Sequence, residues 1–88
     1  MNVQHSLPLG NGHSIEIGQS TWNPQGERSI RDRWTKPGGG FSNTQSSELP
    51  IASLVALVSF AAQHDELSAA EASEIIAALA ASIKRQHP

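Results

Sequence analysis

The sequence predicts an α+β protein: an antiparallel β-hairpin or three-stranded meander followed by two α-helices, assembled as a homodimer. Three observations lead there. All seven Gly and both Trp precede Leu49, whereas every Ala follows it. Between His13 and Thr35 apolar and polar residues alternate with the period of a strand. Beyond Pro50 the apolar residues recur at helical spacing. At 88 residues the chain has room for one small domain, read as residues 13–88, β-rich over 13–48 and helical over 49–88.

Residues 1–12 read as a flexible N-terminal arm, because Pro8, Gly10, Asn11 and Gly12 are turn formers. The first strand follows, with Ile15 and Ile17 on one face and Ser14, Glu16 and Ser20 on the other. Asn23-Pro24-Gln25-Gly26 makes a turn, Pro presetting φ and Gly accepting a positive φ near the end. The returning strand sets Arg28, Ile30, Asp32 and Trp34 on one side and Ser29, Arg31, Arg33 and Thr35 on the other. Ile30 and Trp34 are expected to face the core, which turns Arg31 and Arg33 to water. Lys36-Pro37-Gly38-Gly39-Gly40 reverses the chain again, and residues 41–48 return as a polar third strand.

Pro50 suits the first turn of a helix, where its missing N–H has no partner to lose, so the first helix is expected to begin near Leu49. Its apolar residues, Ile51, Leu54, Val55, Val58, Ala61 and Ala62, widened by Leu57 and Phe60, cover more than one side. A small domain has little to lay over such a helix, so a dimer interface is expected at Leu54, Leu57, Val58 and Phe60. Ser68-Ala69-Ala70-Glu71 matches the capping box and starts the second helix. There Ala72, Ile75, Ile76, Leu79, Ala80 and Ile83 form one apolar face, and Lys84 and Arg85 oppose the negative end of the dipole.

The absence of Cys excludes disulfides, thiolate metal sites and Cys nucleophiles. The uncharged stretch 49–63 is shorter than the ~20 apolar residues of a membrane span, and no cationic leader opens the chain, so a cytoplasmic protein without a membrane partner is expected. His5, His13, His64 and His87 show no metal-ligand spacing, and Asp65 and Glu66 are adjacent and diverge. Gly38-Gly39-Gly40 lacks the Gly-Lys-Ser/Thr ending of a phosphate loop. The expectation is a protein that is not an enzyme and takes no cofactor or metal.

Net charge is −2, but Arg28, Arg31, Arg33 and Lys36 fall within nine positions. Guanidinium groups neutralise phosphates, and Trp34, with Trp22 across the hairpin, offers a ring for an unpaired base. Arg28, Arg31, Arg33, Trp34 and Lys36 are therefore the candidate nucleic-acid-binding residues. The alternative is a solvated sheet face whose arginines pair with Glu16, Glu27 or Asp32, and core packing for each Trp.

The stretch Ile30-Arg31-Asp32-Arg33-Trp34, then Pro37-Gly38-Gly39, a polar loop and Ser47-Glu48-Leu49-Pro50, resembles the positive-cofactor-four transcriptional coactivators and their bacterial relatives; Ile15-Glu16-Ile17-Gly18 resembles their opening strand. The resemblance implies a curved antiparallel sheet that binds single-stranded or melted DNA and a helix that mediates dimerisation, with Arg31, Arg33 and Trp34 carrying over by position. Residues 41–48 followed by Leu49-Pro50, a helix, the Ser68 cap and a second helix are similar to ribbon-helix-helix repressors, which implies Asn43 and Gln45 as base readers in duplex DNA. The expected function is thus a dimeric DNA-binding transcriptional regulator. The rival expectation, favoured by the acidic net charge and scarcity of cations, is a non-enzymatic adaptor or inhibitor that binds an unknown protein partner.

Overall fold

The computed structural model describes residues 1–43 and 46–87. Four strands, β1 (Asn2–Gly10), β2 (His13–Gln19), β3 (Arg28–Trp34) and β4 (Ser47–Pro50), form one antiparallel sheet in the order β1-β2-β3-β4. A single 3-10 turn, Ile51–Ser53, leads into α1 (Leu54–Gln63), and α2 (Ala69–Gln86) follows. The protein is α+β, with its strands ahead of its helices. No helix among the described residues is long and apolar enough to cross a membrane.

The chain divides into two compact units, a sheet unit, Met1–Leu54, and a helical unit from Val55 onward. The first is a meander whose registers are set by its turns. Gly26 and Glu27 both donate to the Asn23 carbonyl, and Ser20 N–H donates to Glu27 O at 2.9 Å, closing the β2–β3 hairpin. Gly26 keeps a negative φ; the glycines with positive φ are Gly10, Gly12, Gly39 and Gly40. This turn fixes the pairs Glu16↔Arg31, Ile17↔Ile30 and His13↔Trp34. Gly39 and Gly40, with φ of 91° and 84°, make the second reversal, which Lys36 N–H closes on Gly40 O at 2.8 Å.

Three expectations are corrected in this unit. The flexible arm is a strand: β1 pairs with β2 through an Asn11-Gly12 turn in which both residues have positive φ, 55° and 77°, the two-residue geometry that suits the twist of a hairpin. Of the strand expected at 41–48, residues 44 and 45 lie outside the described residues; the strand described is Ser47–Pro50, and Phe41 makes an isolated bridge with Thr35. Leu49 and Pro50 accordingly end a strand; Pro50 pairs with Ser29 and precedes the 3-10 turn, so α1 begins five residues past the expected start, at Leu54.

In the helical unit, α1 ends on Asp65 in the left-handed region (φ 56°) with Glu66 N–H on Ala61 O and Asp65 N–H on Ala62 O, the paired bonds of a helix stop normally made with glycine. The capping box at the start of α2 is present in both directions: Glu71 N–H donates to Ser68 Oγ at 3.1 Å and Ser68 N–H to Glu71 Oε1 at 2.9 Å. Lys84 and Arg85 occupy the last turn.

Candidate interaction surfaces

Register assigns every strand residue to a face. On one face lie the rows Ser6-Glu16-Arg31-Glu48 and Pro8-Ser14-Arg33; on the other lie His5-Ile17-Ile30-Leu49, Leu7-Ile15-Asp32-Ser47 and His13-Trp34. The first face is polar yet closed. Arg31 donates to Glu16 Oε1 from Nε at 2.9 Å and approaches it from Nη2 at 2.7 Å, with side-chain exposures of only 16% and 11%. Arg33 Nε stands 3.9 Å from the same oxygen. The Phe41 ring covers both guanidinium groups, at 4.9 Å and 5.6 Å from its centroid.

The two arginines expected to open to water therefore hold an acid and a ring of their own chain. The cause is register: with the hairpin closed at Ser20 and Glu27, Arg31 falls directly opposite Glu16, and a carboxylate at hydrogen-bond distance outcompetes water for a guanidinium. Arg28 is exposed and donates to Gln4 at 2.6 Å, a neutral partner, and Lys36 is exposed on the second reversal. Asn43 is exposed in a turn rather than on a strand, and Gln45 lies outside the described residues.

Glu48 ties three segments together, accepting from Thr21 N–H (2.9 Å), Thr21 Oγ1 (2.7 Å) and Ser29 Oγ (2.7 Å). Burial pushes its carboxyl up, but the hydrogen bonds from Thr21 and Ser29 outweigh this and hold it below the usual range. The α-amino group of Met1 reaches Thr21 Oγ1 at 2.9 Å, which anchors the start of β1 to the same knot.

On the opposite face Trp34 is half-buried beneath His13, the rings parallel within 5° and 3.9 Å apart. Asp32 bonds both, taking the Trp34 indole N–H at 3.2 Å and pairing with His13 Nε2. The His13 bond is the largest influence on Asp32 and lowers its carboxyl from the ordinary value, with burial opposing and the indole bond assisting. Trp22 is not packed: it is 49% exposed, its indole N–H on Glu27 at 2.6 Å. The sequence reading missed the cluster of His13, Asp32 and Trp34 and the roles of Phe41 and Glu48. The first was not legible from the turn, because a hairpin closed on Asn23 and Gly26 would set Ile15 opposite Trp34, whereas the closing pair Ser20–Glu27 sets His13 there.

The apolar face is the open one. Leu7 and Leu49 are exposed, Ile15, Ile17 and Ile30 are half-buried, and His5, Leu7, Ile15 and Ile17 border a shallow depression of about 180 Å³. In the helical unit, Val55, Leu57, Val58, Phe60, Ile76, Leu79 and Ile83 are exposed by 40% to 77%. Of the residues expected at a dimer interface, Leu57, Val58 and Phe60 are open and Leu54 is half-buried. Among the described residues no apolar side chain is buried, whereas Glu16, Ser20, Ser29 and Ser42 are. Compared with protein-family models, with curated proteins and with solved structures, the chain has no match.

Proposed function

We propose that this protein is a non-enzymatic, self-associating interaction module that works by docking apolar surfaces, with its sheet arginines serving the fold rather than a polyanion. The observation that carries the reading is the inverted burial. Among the described residues every buried side chain is polar, whereas Leu7, Leu9 and Leu49 of the sheet unit and seven apolar residues of the helical unit stand open. Burial of apolar surface is the main favourable term in folding, so a chain that leaves it in water gains that term only by association. The single carboxylate of Glu16 engages Arg31 closely and lies 3.9 Å from Arg33, which cancels one of the two positive charges on which a phosphate grip would rest.

Sedimentation across micromolar concentrations, with titration by single-stranded and duplex oligonucleotides at several salt concentrations, tests the reading. Association at all concentrations with no salt-sensitive oligonucleotide binding is expected. A monomer that binds single strands, and loses them in the Arg31→Ala/Arg33→Ala variant, would overturn it. One observation favours single-stranded nucleic acid as a second reading. Arg28 and Lys36 have no carboxylate partner among the described residues. In that case binding is lost in Arg28→Ala/Lys36→Ala instead.

A further inference from the structure

We infer that two copies of this protein join by exchanging β1, each copy laying its β1 on β2 of the other. The inference rests on the self-association proposed above and names the join. The occupant is fixed by the structure itself: β1 already covers the edge of β2, in a register that a second copy reproduces pair for pair.

β1 has little to hold it in its own chain. It lies at the edge of the sheet, pairs with β2 alone and has all nine of its residues exposed, so it carries no side chain out of a core when it leaves. Its side-chain bonds, between Asn2 and Gln19 and between Arg28 and Gln4, run to β2 and β3 and re-form with the same residues of the other copy.

The hinge is Asn11-Gly12. A closed hairpin holds both residues at positive φ, 55° and 77°, and Asn11, which carries a Cβ, is less stable there than in extended backbone. Gly12 already stands in line with β2: its carbonyl accepts from Thr35 N–H at 2.8 Å, one step beyond the pair His13↔Trp34. Straightening at Asn11 therefore turns residues 2–19 into one strand. Two such strands, antiparallel about a two-fold axis at the hinge, keep the pairs Leu7↔Ile15 and Pro8↔Ser14 between copies. Register carried inward from Gly10↔His13 adds Asn11↔Gly12 twice at the centre, which offsets the lost turn.

Because each β1–β2 pair is replaced by an identical one, exchange adds little stability of its own. Its effect is to tether the copies, so that docking of their open apolar residues takes place within one dimer at a raised effective concentration. A two-fold axis normal to the sheet also leaves both apolar sheet faces on the same side, as one surface.

The chain has no Cys, so two introduced thiols report which strands are paired. Pro8 and Ser14 are direct partners, and residues opposite each other in an antiparallel ladder lie about 4.5–5.5 Å apart at Cα, a span that a disulfide bridges. The Pro8→Cys/Ser14→Cys chain, equilibrated reduced at about 200 μM and then oxidised, is expected to run as a covalent dimer on a denaturing non-reducing gel, at least about fivefold more than after equilibration at about 2 μM. Gly12→Val, which disfavours the closed turn, should enrich the dimer further at about 2 μM. Bonds within one chain alone, while sedimentation still shows a dimer, would overturn the exchange and leave self-association standing. Equal linking by chains carrying only one of the thiols would overturn the exchange too, because the exchanged register sets position 8 opposite 14 and never opposite itself. A monomer at every concentration would overturn both.

Discussion

Replacing Gly18 with Ala should detach the start of β1. A Cβ built on Gly18 overlaps the carbonyl oxygen of Asn2 and lies 2.7 Å from its carbonyl carbon and 3.0 Å from Val3 Cα. These are backbone atoms, which cannot rotate aside as a side chain would. Ordinary carbon contacts begin near ~3.5 Å, so the strand must retreat by about 1 Å or more. The register irregularity between Val3 and His5 is where that retreat would start. The contacts at stake are the pairs Asn2↔Gln19 and Val3↔Gly18 and the bond from the Met1 amino group to Thr21. Two or three hydrogen bonds at about 0.5–1.5 kcal/mol each give a loss of about 1–4 kcal/mol. Urea unfolding measures the loss, and amide exchange locates it: protection should fall in residues 2–5 and hold in β3. Unchanged stability together with unchanged exchange at residues 2–5 would refute the close crossing of Asn2 over Gly18, and with it the anchoring of β1 from Met1.

Stability should be full above about pH 5 and fall as the solution becomes more acid. Asp32, chiefly through its His13 bond, and Glu48, through hydrogen bonds that outweigh burial, are held below their ordinary values, so the unfolded chain takes up protons first, near pH ~4; urea midpoints at pH 7, 5 and 3 test this, and Asp32→Asn with Glu48→Gln should flatten the acid limb. Ser68→Ala should cost about 1 kcal/mol by freeing the Glu71 N–H, read as lost helicity at the start of α2 by circular dichroism and a lower urea midpoint. Glu16→Gln should cost about 2–4 kcal/mol because Arg31 keeps its place with its counter-charge gone; measured against wild type in oligonucleotide titrations, it should also gain affinity if the pair is what silences these cations.

The parts of the fold that were legible in the sequence are those set by local chemistry. The Asn23–Gly26 turn, the alternation of β2 and β3, and the Ser68–Glu71 box each satisfy backbone groups with residues a few positions away, and each is present in the structure. β1 is hidden when Pro8, Gly10, Asn11 and Gly12 are taken together as turn formers. The stronger signal was the Asn11-Gly12 pair between Leu7 and Ile15, which pair across it, since few residues other than Asn and Gly accept two successive positive φ values. Pro50 was misread for a related reason. A proline lacking an N–H fits the last residue of an edge strand as well as the first turn of a helix, and only the pairing of Ser29 with it decides. The arginine face required one more step than alternation gives. Period two places Arg31 and Arg33 together, but whether they meet water or Glu16 depends on the partner strand and on Phe41, which returns from beyond the glycines.

If both units hold their apolar residues open, folding and association should be a single event, and its midpoint should depend on concentration. Tenfold dilution of a dimer removes about 1.4 kcal/mol per dimer. Two chains of 88 residues unfold with an entropy of about 2.1 cal/mol/K per residue, so the same dilution should lower the melting temperature by about 4 °C. A stable monomer would melt at one temperature throughout. Scanning calorimetry or circular dichroism from 2 to 200 μM distinguishes the two, with a shift of about 7–8 °C expected across that range. The Leu79→Glu chain sharpens the comparison, since α2 retains its cap and its terminal cations while its exposed apolar face takes a charge. Its transition should be lower and nearly independent of concentration. A wild-type midpoint that stays fixed over the hundredfold range would mean that the polar knot around Glu48 and the Glu16–Arg31 pair suffices to hold the single chain, and the open apolar faces would then need another physical explanation.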